Sequence, residues 1–246
     1  MQDEATRAGQ GEGYAINAPY YDLIYPVAAR NALGEALCNQ LVGVRHIVEI
    51  GAGTGAMTEV MLNVLPAEGT ILAVEPTAMM RAALTSRLSG IPRAVAAVTI
   101  VPDDALVAEV PADMDALVAC NVIMHFSPAG RQALWSRWAE PLRPGGIVAV
   151  EPQFPQSPMN LPATVVPGRS LGRRTYDTVT RAEMIDDERI RWVMTYRVRE
   201  GDRVMSEETT DFDCWIISDD VLDRELAEAG CVPVEGSDAL RVWRRR

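Results

Sequence analysis

The sequence predicts a doubly wound, mostly parallel α/β sheet of seven strands, with an antiparallel hairpin inserted after the fifth strand. Two observations carry this prediction. Apolar runs of strand length alternate with helical segments four or five times between about residue 46 and residue 151, and the first run ends in three alternating glycines. Nearly all-apolar strands joined by helices are typical of a parallel sheet that is covered on both faces.

The first strand and the turn after it are the centre of this arrangement. Residues 47–50 are the apolar run, residues 51–55 read Gly-Ala-Gly-Thr-Gly, and a helix is predicted from Ala56 to about residue 65. Glycines in such a turn let the backbone approach a ligand, and the amides at the start of the helix offer donors to it. The sequence therefore predicts a site for a nucleotide-sized ligand.

Two classes of cofactor fit this glycine pattern. With Gly51, Gly53 and Ala56 it matches the G-x-G-x-x-[G/A] motif of dinucleotide sites, and with Glu49 and Gly55 it also reads E-x-G-x-G-x-G. A carboxylate two residues before the first glycine suits a ligand that carries an ammonium and would repel a pyrophosphate. Glu49 therefore favours a ligand without phosphate.

An acid also follows each of the next two predicted strands. Glu75 ends the second strand, where a carboxylate can accept both ribose hydroxyls of an adenosine. Asp104 follows the third, at residues 97–101, and we expect it to accept the adenine amine, because the small Ala105 beside it leaves room for the ring. Pro76 and Met80 are predicted to line the same end of the ligand. The structural alternatives are a carboxylate at a helix N-terminus, a core methionine and a solvated Asp-Asp turn.

The fourth strand, at residues 114–120, runs into Asn121 and His125, and Ser127 is predicted to cap a helix that Pro128 opens. A fifth strand follows at residues 147–151. Ligands in such sheets bind outside the carboxyl ends of the strands, so Glu49, Glu75, Asp104 and Asn121 are expected on one edge.

Tyrosines are concentrated ahead of the first strand. Four of the six tyrosines fall between residues 14 and 25, and a helix is predicted over residues 28–42. Residues 1–45 are expected to form lid helices over the ligand, with Tyr14 and Tyr20 as hydrogen-bonding phenols. The alternative is that the rings anchor an N-terminal helix to the core.

The regular pattern stops after residue 151. Five prolines between residues 152 and 167 indicate a long irregular connection, and alternating residues at 190–199 and 203–215 predict a hairpin. This insertion, residues 153–217, either covers an acceptor pocket or forms the interface of a homodimer. A helix at residues 218–229 and two antiparallel strands at about 231–234 and 239–243 complete the predicted single domain.

Composition restricts the partners. The 246-residue chain has a net charge of −11, and 48% of its residues are hydrophobic, as in an ordinary globular protein. Nucleic acid is a poor partner for such an acidic chain. The four cysteines lack C-x-x-C spacing, so neither a metal site nor a disulfide framework is predicted. The polar start of the chain and the lack of any long apolar run predict a cytoplasmic protein with no membrane contact.

Taken together, these motifs resemble the class I S-adenosylmethionine (SAM) methyltransferases. The correspondence is carried by the glycine loop of motif I, the ribose acid Glu75, the adenine acid Asp104, the segment 121–126 and the Leu-Arg-Pro-Gly-Gly turn at 142–146. Within that family the tyrosine-rich start and the late insertion are similar to small-molecule enzymes of bacterial secondary metabolism, including amino-sugar N-methyltransferases. The resemblance implies SAM as cofactor, held by Tyr20, Glu49, Gly51, Ala52, Gly53, Gly55, Glu75, Pro76, Met80, Asp104, Ala105 and Asn121.

The resemblance also implies that His125 and Tyr14 lie near a small-molecule acceptor, where methyl transfer to nitrogen or oxygen takes place. His125 is interpreted either as a general base or as an orienting residue. Two rival functions stay open from the sequence. One is a SAM-binding protein that transfers no methyl group. The other is an NAD-dependent oxidoreductase, which has less support because a sequence without lysine contains no Tyr-x-x-x-Lys pair.

Overall fold

The structure is a computed structural model that describes residues 2–246, with side chains from residue 13 onward. The chain folds into two compact units. One comprises the chain up to Arg30 together with Pro155–Ile216, and the other comprises Asn31–Phe154 together with Ile217–Arg246. Among the described residues, no helix combines the length and apolar character needed to cross a membrane.

The elements follow one another as the alternating pattern predicts. The strands are β1 (His46–Ile50), β2 (Thr70–Val74), β3 (Val98–Val101), β4 (Ala116–Ala119), β5 (Ile147–Val150), β6 (Leu161–Leu171), β7 (Arg174–Met184), β8 (Arg189–Glu200), β9 (Arg203–Trp215), β10 (Cys231–Ser237) and β11 (Leu240–Arg245). The helices are α1 (Gln2–Ile24), α2 (Val27–Gln40), α3 (Ala56–Met61), α4 (Ala78–Ser89), α5 (Pro92–Ala97), α6 (Pro128–Trp138) and α7 (Asp219–Glu228), with a 3-10 turn at Ile123–His125.

The larger unit is built on a seven-stranded sheet with the order β10-β11-β5-β4-β1-β2-β3. Strands β1 to β5 pair in parallel, whereas β11 pairs antiparallel with both β5 and β10. This architecture confirms the predicted fold class, including the antiparallel pair at the end of the chain.

Alternate residues of the central strands enter two separate cores. Val48 and Ile50 of β1 belong to a cluster with Trp135 of α6 and Leu222 of α7. On the other face, Ile47 belongs to a cluster that draws residues from α2, α3 and α4. Helices therefore cover both faces of the sheet, as nearly all-apolar strands require.

Local signals set several helix boundaries. The Ser127 hydroxyl accepts the amide of Gly130 at 3.1 Å, and Pro128 occupies the first turn, so the predicted start of α6 is confirmed. Helix α3 ends at Met61, shorter than the prediction. The short helix α5 was not predicted.

The smaller unit contains a four-stranded antiparallel sheet with the order β6-β7-β8-β9. The predicted hairpin is its β8–β9 half. The expectation that the proline-rich stretch from residue 152 to residue 167 is irregular throughout was wrong, because Leu161–Leu171 form β6. Strand β6 lies at the edge of the sheet, where prolines are tolerated, and its pairing shifts register between Leu161 and Thr164 and between Pro167 and Ser170.

Helix α1 packs on this sheet through small and aromatic residues. The ring of Tyr20 stacks on that of Tyr196 with centroids 4.9 Å apart, and the Tyr14 ring lies 5.1 Å from that of Phe212. A Cβ atom on Gly13 would lie only 2.8 Å from the Phe212 ring, so this close approach needs a glycine. These ring contacts fix the position of α1 on the four-stranded sheet of its own unit.

Candidate functional site

The candidate site lies at the carboxyl edge of the seven-stranded sheet. Strands β1 and β4 are neighbours there, and the chain leaves them in opposite directions, toward β2 and β5. Loops that diverge from two neighbouring parallel strands leave a crevice between them, and ligands of open α/β sheets bind in such crevices. The segments that follow these strands carry six of the predicted site residues: Gly51, Ala52, Gly53, Gly55, Asn121 and His125.

Three glycines shape the loop after β1. Gly51, Gly53 and Gly55 have φ angles of +69°, +57° and +81°, a region that other residues adopt only with strain. The amides of Gly51 and Ala52 both donate to the carbonyl of Val74, at 2.8 and 3.2 Å. The turn is therefore held by the end of β2.

The three glycines are required for different reasons. A Cβ atom on Gly51 would lie 2.5 Å from Val122, and one on Gly55 would collide with Leu84, so these two positions make room for protein atoms. At Gly53 the nearest atom to such a Cβ lies 3.9 Å away. The Cβ positions of Gly51 and Gly55 therefore point at protein atoms, and the approach of the loop backbone to a ligand stays a prediction.

The Glu75 carboxylate is tied to the same loop. It accepts the amides of Gly53 and Thr77, each at 2.8 Å, and the residue is only 5% exposed. Burial raises its pKa, while these two bonds act in the opposite direction. Glu75 thus lies directly beside the predicted ligand loop, with one oxygen bonded to that loop and the other to the turn into α4.

Glu49 is more deeply buried than its position in the sequence indicated. The residue is 2% exposed and accepts a 2.5 Å hydrogen bond from the hydroxyl of Thr58 in α3. Burial raises the pKa of Glu49 to about 8, and the nearby charge of Glu75 adds to the shift. At neutral pH the unliganded protein therefore holds this carboxyl mostly protonated.

The remaining predicted cofactor residues lie around the same edge. Asp104 accepts the amide of Leu106 at 2.8 Å, and the Ala105 carbonyl accepts the Trp138 indole at 2.7 Å. Among the residues described, Asn121 is the one non-glycine residue at positive φ, at 49°. Three further predicted contacts differ in exposure: Ala52 and Met80 are buried, whereas Pro76 is exposed.

His125 ends the 3-10 turn that follows β4. Its ring is half-buried, and desolvation lowers its pKa to about 4. The imidazole is therefore neutral at physiological pH. A neutral imidazole can accept a proton or a hydrogen bond, although a group with such a low pKa is a weak base.

One acid at this edge of the sheet, Glu151, was not predicted as a site residue. Glu151 directly follows β5, and the pairing of Ala119 with Val150 makes Cys120 and Glu151 next in register. Burial, together with the charges of Glu151 and Glu49, raises the pKa of the Cys120 thiol. Glu151 also ends an apolar strand, as Glu75 does, so the same reasoning would have found it.

The two predicted tyrosines belong to the smaller unit. Tyr20 donates its hydroxyl to Glu208 at 2.5 Å, and burial and this bond raise its pKa to about 12. Tyr14 is half-buried against Phe212. The Tyr20 phenol therefore stays protonated at neutral pH, so it can donate a hydrogen bond but does not act as a base. The roles of both tyrosines toward a cofactor or acceptor stay predictions.

Comparison with known proteins identifies the class of this fold. Residues 48–148 match the family model described as a methyltransferase domain. An amino pentose methyltransferase from Micromonospora echinaspora, involved in calicheamicin biosynthesis, superposes with a TM-score of 0.66 at 19% identity, over 100% of this chain and 97% of the other. The CcbJ methyltransferase from Streptomyces caelestis gives a TM-score of 0.71 at 16% identity, over 93% and 96%. A sugar N-methyltransferase from a Streptoalloteichus species gives 0.65 at 19% identity, over 99% and 92%.

The chain therefore has the fold of the class I SAM-dependent methyltransferases, and the predicted resemblance is confirmed for the fold and for the domain at residues 48–148. Among curated proteins, the trans-aconitate 2-methyltransferases of Acidovorax sp. (strain JS42) and Acidovorax ebreus (strain TPSY) are each 30% identical over 112 residues. That stretch is 44% of this chain and 38% of each relative, so the chain spans well under half the length of these relatives.

Proposed function

We propose that this chain transfers the methyl group of SAM to a nitrogen or oxygen atom of a small-molecule acceptor. The observation that carries the proposal is the pair Gly53 and Glu75. A buried carboxylate lies beside a loop glycine at which an added Cβ atom would meet no protein atom closer than the Gly51 carbonyl oxygen, 3.9 Å away. Each Glu75 oxygen has a second lone pair with which it can accept a ribose hydroxyl while it keeps its bond to the amide of Gly53 or of Thr77.

The charges at this edge fit the same cofactor. Residues 49–56 contain no basic side chain to neutralise a pyrophosphate, whereas Glu49 suits the ammonium of SAM. When bound, SAM supplies an electrophilic methyl group on a sulfonium. We assign the ribose to Glu75, the adenine to Asp104 and Ala105, and the amino acid end to Glu49 and the loop.

The contribution of the protein to transfer is positioning, which can supply about 7–11 kcal/mol at best. A neutral His125 with a pKa of about 4 suits an orienting hydrogen bond to the acceptor better than removal of a proton from a hydroxyl. An amine that arrives unprotonated needs no such base. Solved structures of this fold include proteins described as an amino pentose methyltransferase and a sugar N-methyltransferase, which supports testing amines first.

Calorimetric titration with SAM, S-adenosylhomocysteine (SAH) and NADH tests the cofactor. We expect SAM and SAH to bind and Glu75→Gln to weaken both, because an amide nitrogen accepts no hydroxyl. Glu68→Gln is the matched control, an exposed acid before β2 that lies outside the proposed site. NADH binding without SAM binding would refute the proposal. Cofactor binding without methylated product, over a panel of amino sugars and their hydroxyl analogues, would favour a SAM-binding protein that transfers no methyl group.

A further inference from the structure

The glycine loop is held at its start by β2, where the amides of Gly51 and Ala52 donate to the carbonyl of Val74. Three of its five residues are glycines at positive φ, where backbone freedom in the absence of neighbours is greatest. One of its amides, that of Gly53, depends on Glu75, which is also the acid proposed to bind the ribose. The second half of the loop, Thr54 and Gly55, therefore needs support of its own if the whole loop is to keep its shape for a cofactor.

Helix α4 supplies this support at two consecutive loop residues. The Arg87 Nε donates to the carbonyl of Thr54 at 2.8 Å. The Leu84 side chain occupies the space next to Gly55, where any Cβ atom would collide with it. The loop is thus held against α4 by a hydrogen bond from a charged donor and by apolar contact.

The same guanidinium also reaches the helix that begins after the loop. Arg87 Nη1 lies 2.9 Å from a carboxylate oxygen of Glu59 in α3, and the two side chains are 25% and 45% exposed. An ion pair this exposed contributes little to stability by itself. The ion pair has a geometric effect instead: it orients the guanidinium so that Nε points at the Thr54 carbonyl.

We propose that Arg87 is a positioning residue for the cofactor, which holds the glycine loop in its binding conformation through the Thr54 carbonyl. The inference rests on the proposed function, since the loop is taken to bind SAM. Without Arg87, part of the cost of ordering the loop moves from folding to binding, and affinity falls accordingly. We expect the dissociation constant for SAH to rise about tenfold in Arg87→Met, which keeps the aliphatic stem and removes the donors.

The experiment compares SAH titration, thermal unfolding and amide hydrogen exchange in the full chain. The matched control is Arg93→Met, which removes another arginine that donates to a backbone carbonyl, that of Pro66 at 3.0 Å, away from the loop. Arg87→Lys should recover part of the affinity, because one ammonium can reach Thr54 or Glu59 but lacks the fork that joins both. Exchange at Gly53 and Gly55 without ligand should be faster in Arg87→Met than in the wild type or the control.

The outcomes separate a positioning role from a structural one. A lower melting temperature with unchanged SAH affinity and unchanged loop exchange would overturn the inference. If Arg87→Met does not fold, Glu59→Gln removes only the acid that orients the guanidinium, and weaker SAH binding in that variant supports the inference while wild-type affinity overturns it. A wild-type chain that binds no SAH would refute the proposed function, and loop exchange would still decide whether Arg87 holds the loop.

Discussion

Gly53 donates its backbone amide to the Glu75 carboxylate at 2.8 Å, which links the loop after β1 to the residue that ends β2. The two residues were selected from the sequence for separate reasons, one as a loop glycine and the other as a strand-end acid. Their contact means that a ligand at Glu75 meets a preformed loop. It also means that a change at either residue affects the other.

Gly53→Ala should reduce SAH affinity at least tenfold. An added Cβ meets no protein atom closer than 3.9 Å, so the methyl group would enter the space assigned to the ligand. The stability cost should be only about 1–2 kcal/mol, the penalty for a left-handed residue at φ +57°. Calorimetry and chemical unfolding measure the two effects.

Gly145→Ala is the control for that variant. Gly145 also has a positive φ, +80°, and an added Cβ there meets nothing within 4 Å, but it lies in the turn before β5. It should lose similar stability and keep wild-type SAH affinity. Equal SAH affinity in both variants would show that no ligand approaches Gly53.

Glu49 should make the unliganded protein less stable as the pH rises. Its folded pKa of about 8 lies above the ordinary value of 4.5, so the native state binds the proton more tightly than the unfolded state does. The stability that this carboxyl contributes is complete below about pH 4.5 and is lost as the pH rises to about 8, by on the order of a few kcal/mol. Urea unfolding of the wild type and Glu49→Gln across this range isolates the effect, and parallel pH curves for the two proteins would contradict it.

Binding of SAH should release a proton at pH 7. An ammonium near Glu49 favours its charged form and lowers the raised pKa, so the carboxyl ionises when the ligand binds. The observed binding enthalpy should then depend on the ionisation enthalpy of the buffer, with up to about one proton released. Glu49→Gln should abolish this dependence. A wild-type enthalpy that is the same in phosphate and Tris would place the ammonium elsewhere.

Replacement of His125 by Ala should lower turnover by less than loss of a general base would, and to a similar extent for hydroxyl and amine acceptors, with SAM affinity nearly unchanged, because a ring with a pKa of about 4 is suited to orienting the acceptor. Loss of a general base costs about 10²–10⁴-fold, whereas loss of an orienting contact costs less. Because the pKa of His125 is lowered to about 4, its protonation should reduce kcat only below about pH 5. If kcat of the wild type instead falls below about pH 6.5, and His125→Ala lacks this fall, the ring titrates at its ordinary pKa.

The parallel sheet could be predicted because its strands are short, apolar and separated by helical segments. Residues 47–50 and 147–150 have no polar side chain except Glu49, and that exception marks the site. Strand β6 was missed because Pro162, Pro167 and Gly168 are typical of loops. An edge strand with register shifts accommodates them, and which strand lies at an edge is a tertiary property that no local pattern gives.

The site was predictable in its residue types but not in its contacts. Acids at strand ends can be read directly from the sequence, and so Glu49, Glu75 and Asp104 were found. The neighbours that fix the loop come from distant segments, as Val122 does for Gly51 and Leu84 for Gly55. Sequence spacing has no signal for such a pairing, because it arises only when the strands and helices pack together.

Helices α6 and α7 are joined by an ion pair between Arg131 and Glu225, whose side chains are 4% and 12% exposed, and its loss should lower the stability of the protein. Arg131 of α6 donates from Nε and Nη2 to Glu225 of α7, at 2.9–3.2 Å. Its Nη1 donates to the carbonyl of Phe126, the residue after His125, at 3.1 Å. The Trp135 indole donates to the same carboxylate at 2.9 Å.

Arg131→Met should therefore lower the free energy of unfolding by about 3–5 kcal/mol, because it leaves the Glu225 carboxylate buried with the Trp135 indole but without its cation. The double variant Arg131→Met/Glu225→Leu should recover much of that loss, since it removes the uncompensated charge as well. Arg191→Met serves as the exposed control: it breaks a pair with Asp213 whose side chains are 44% and 28% exposed, and it should cost no more than about 1 kcal/mol. Urea unfolding of the three variants measures these differences. A double variant no more stable than Arg131→Met would mean that Arg131 stabilises the protein through the Phe126 carbonyl and its packing, and not by neutralising Glu225.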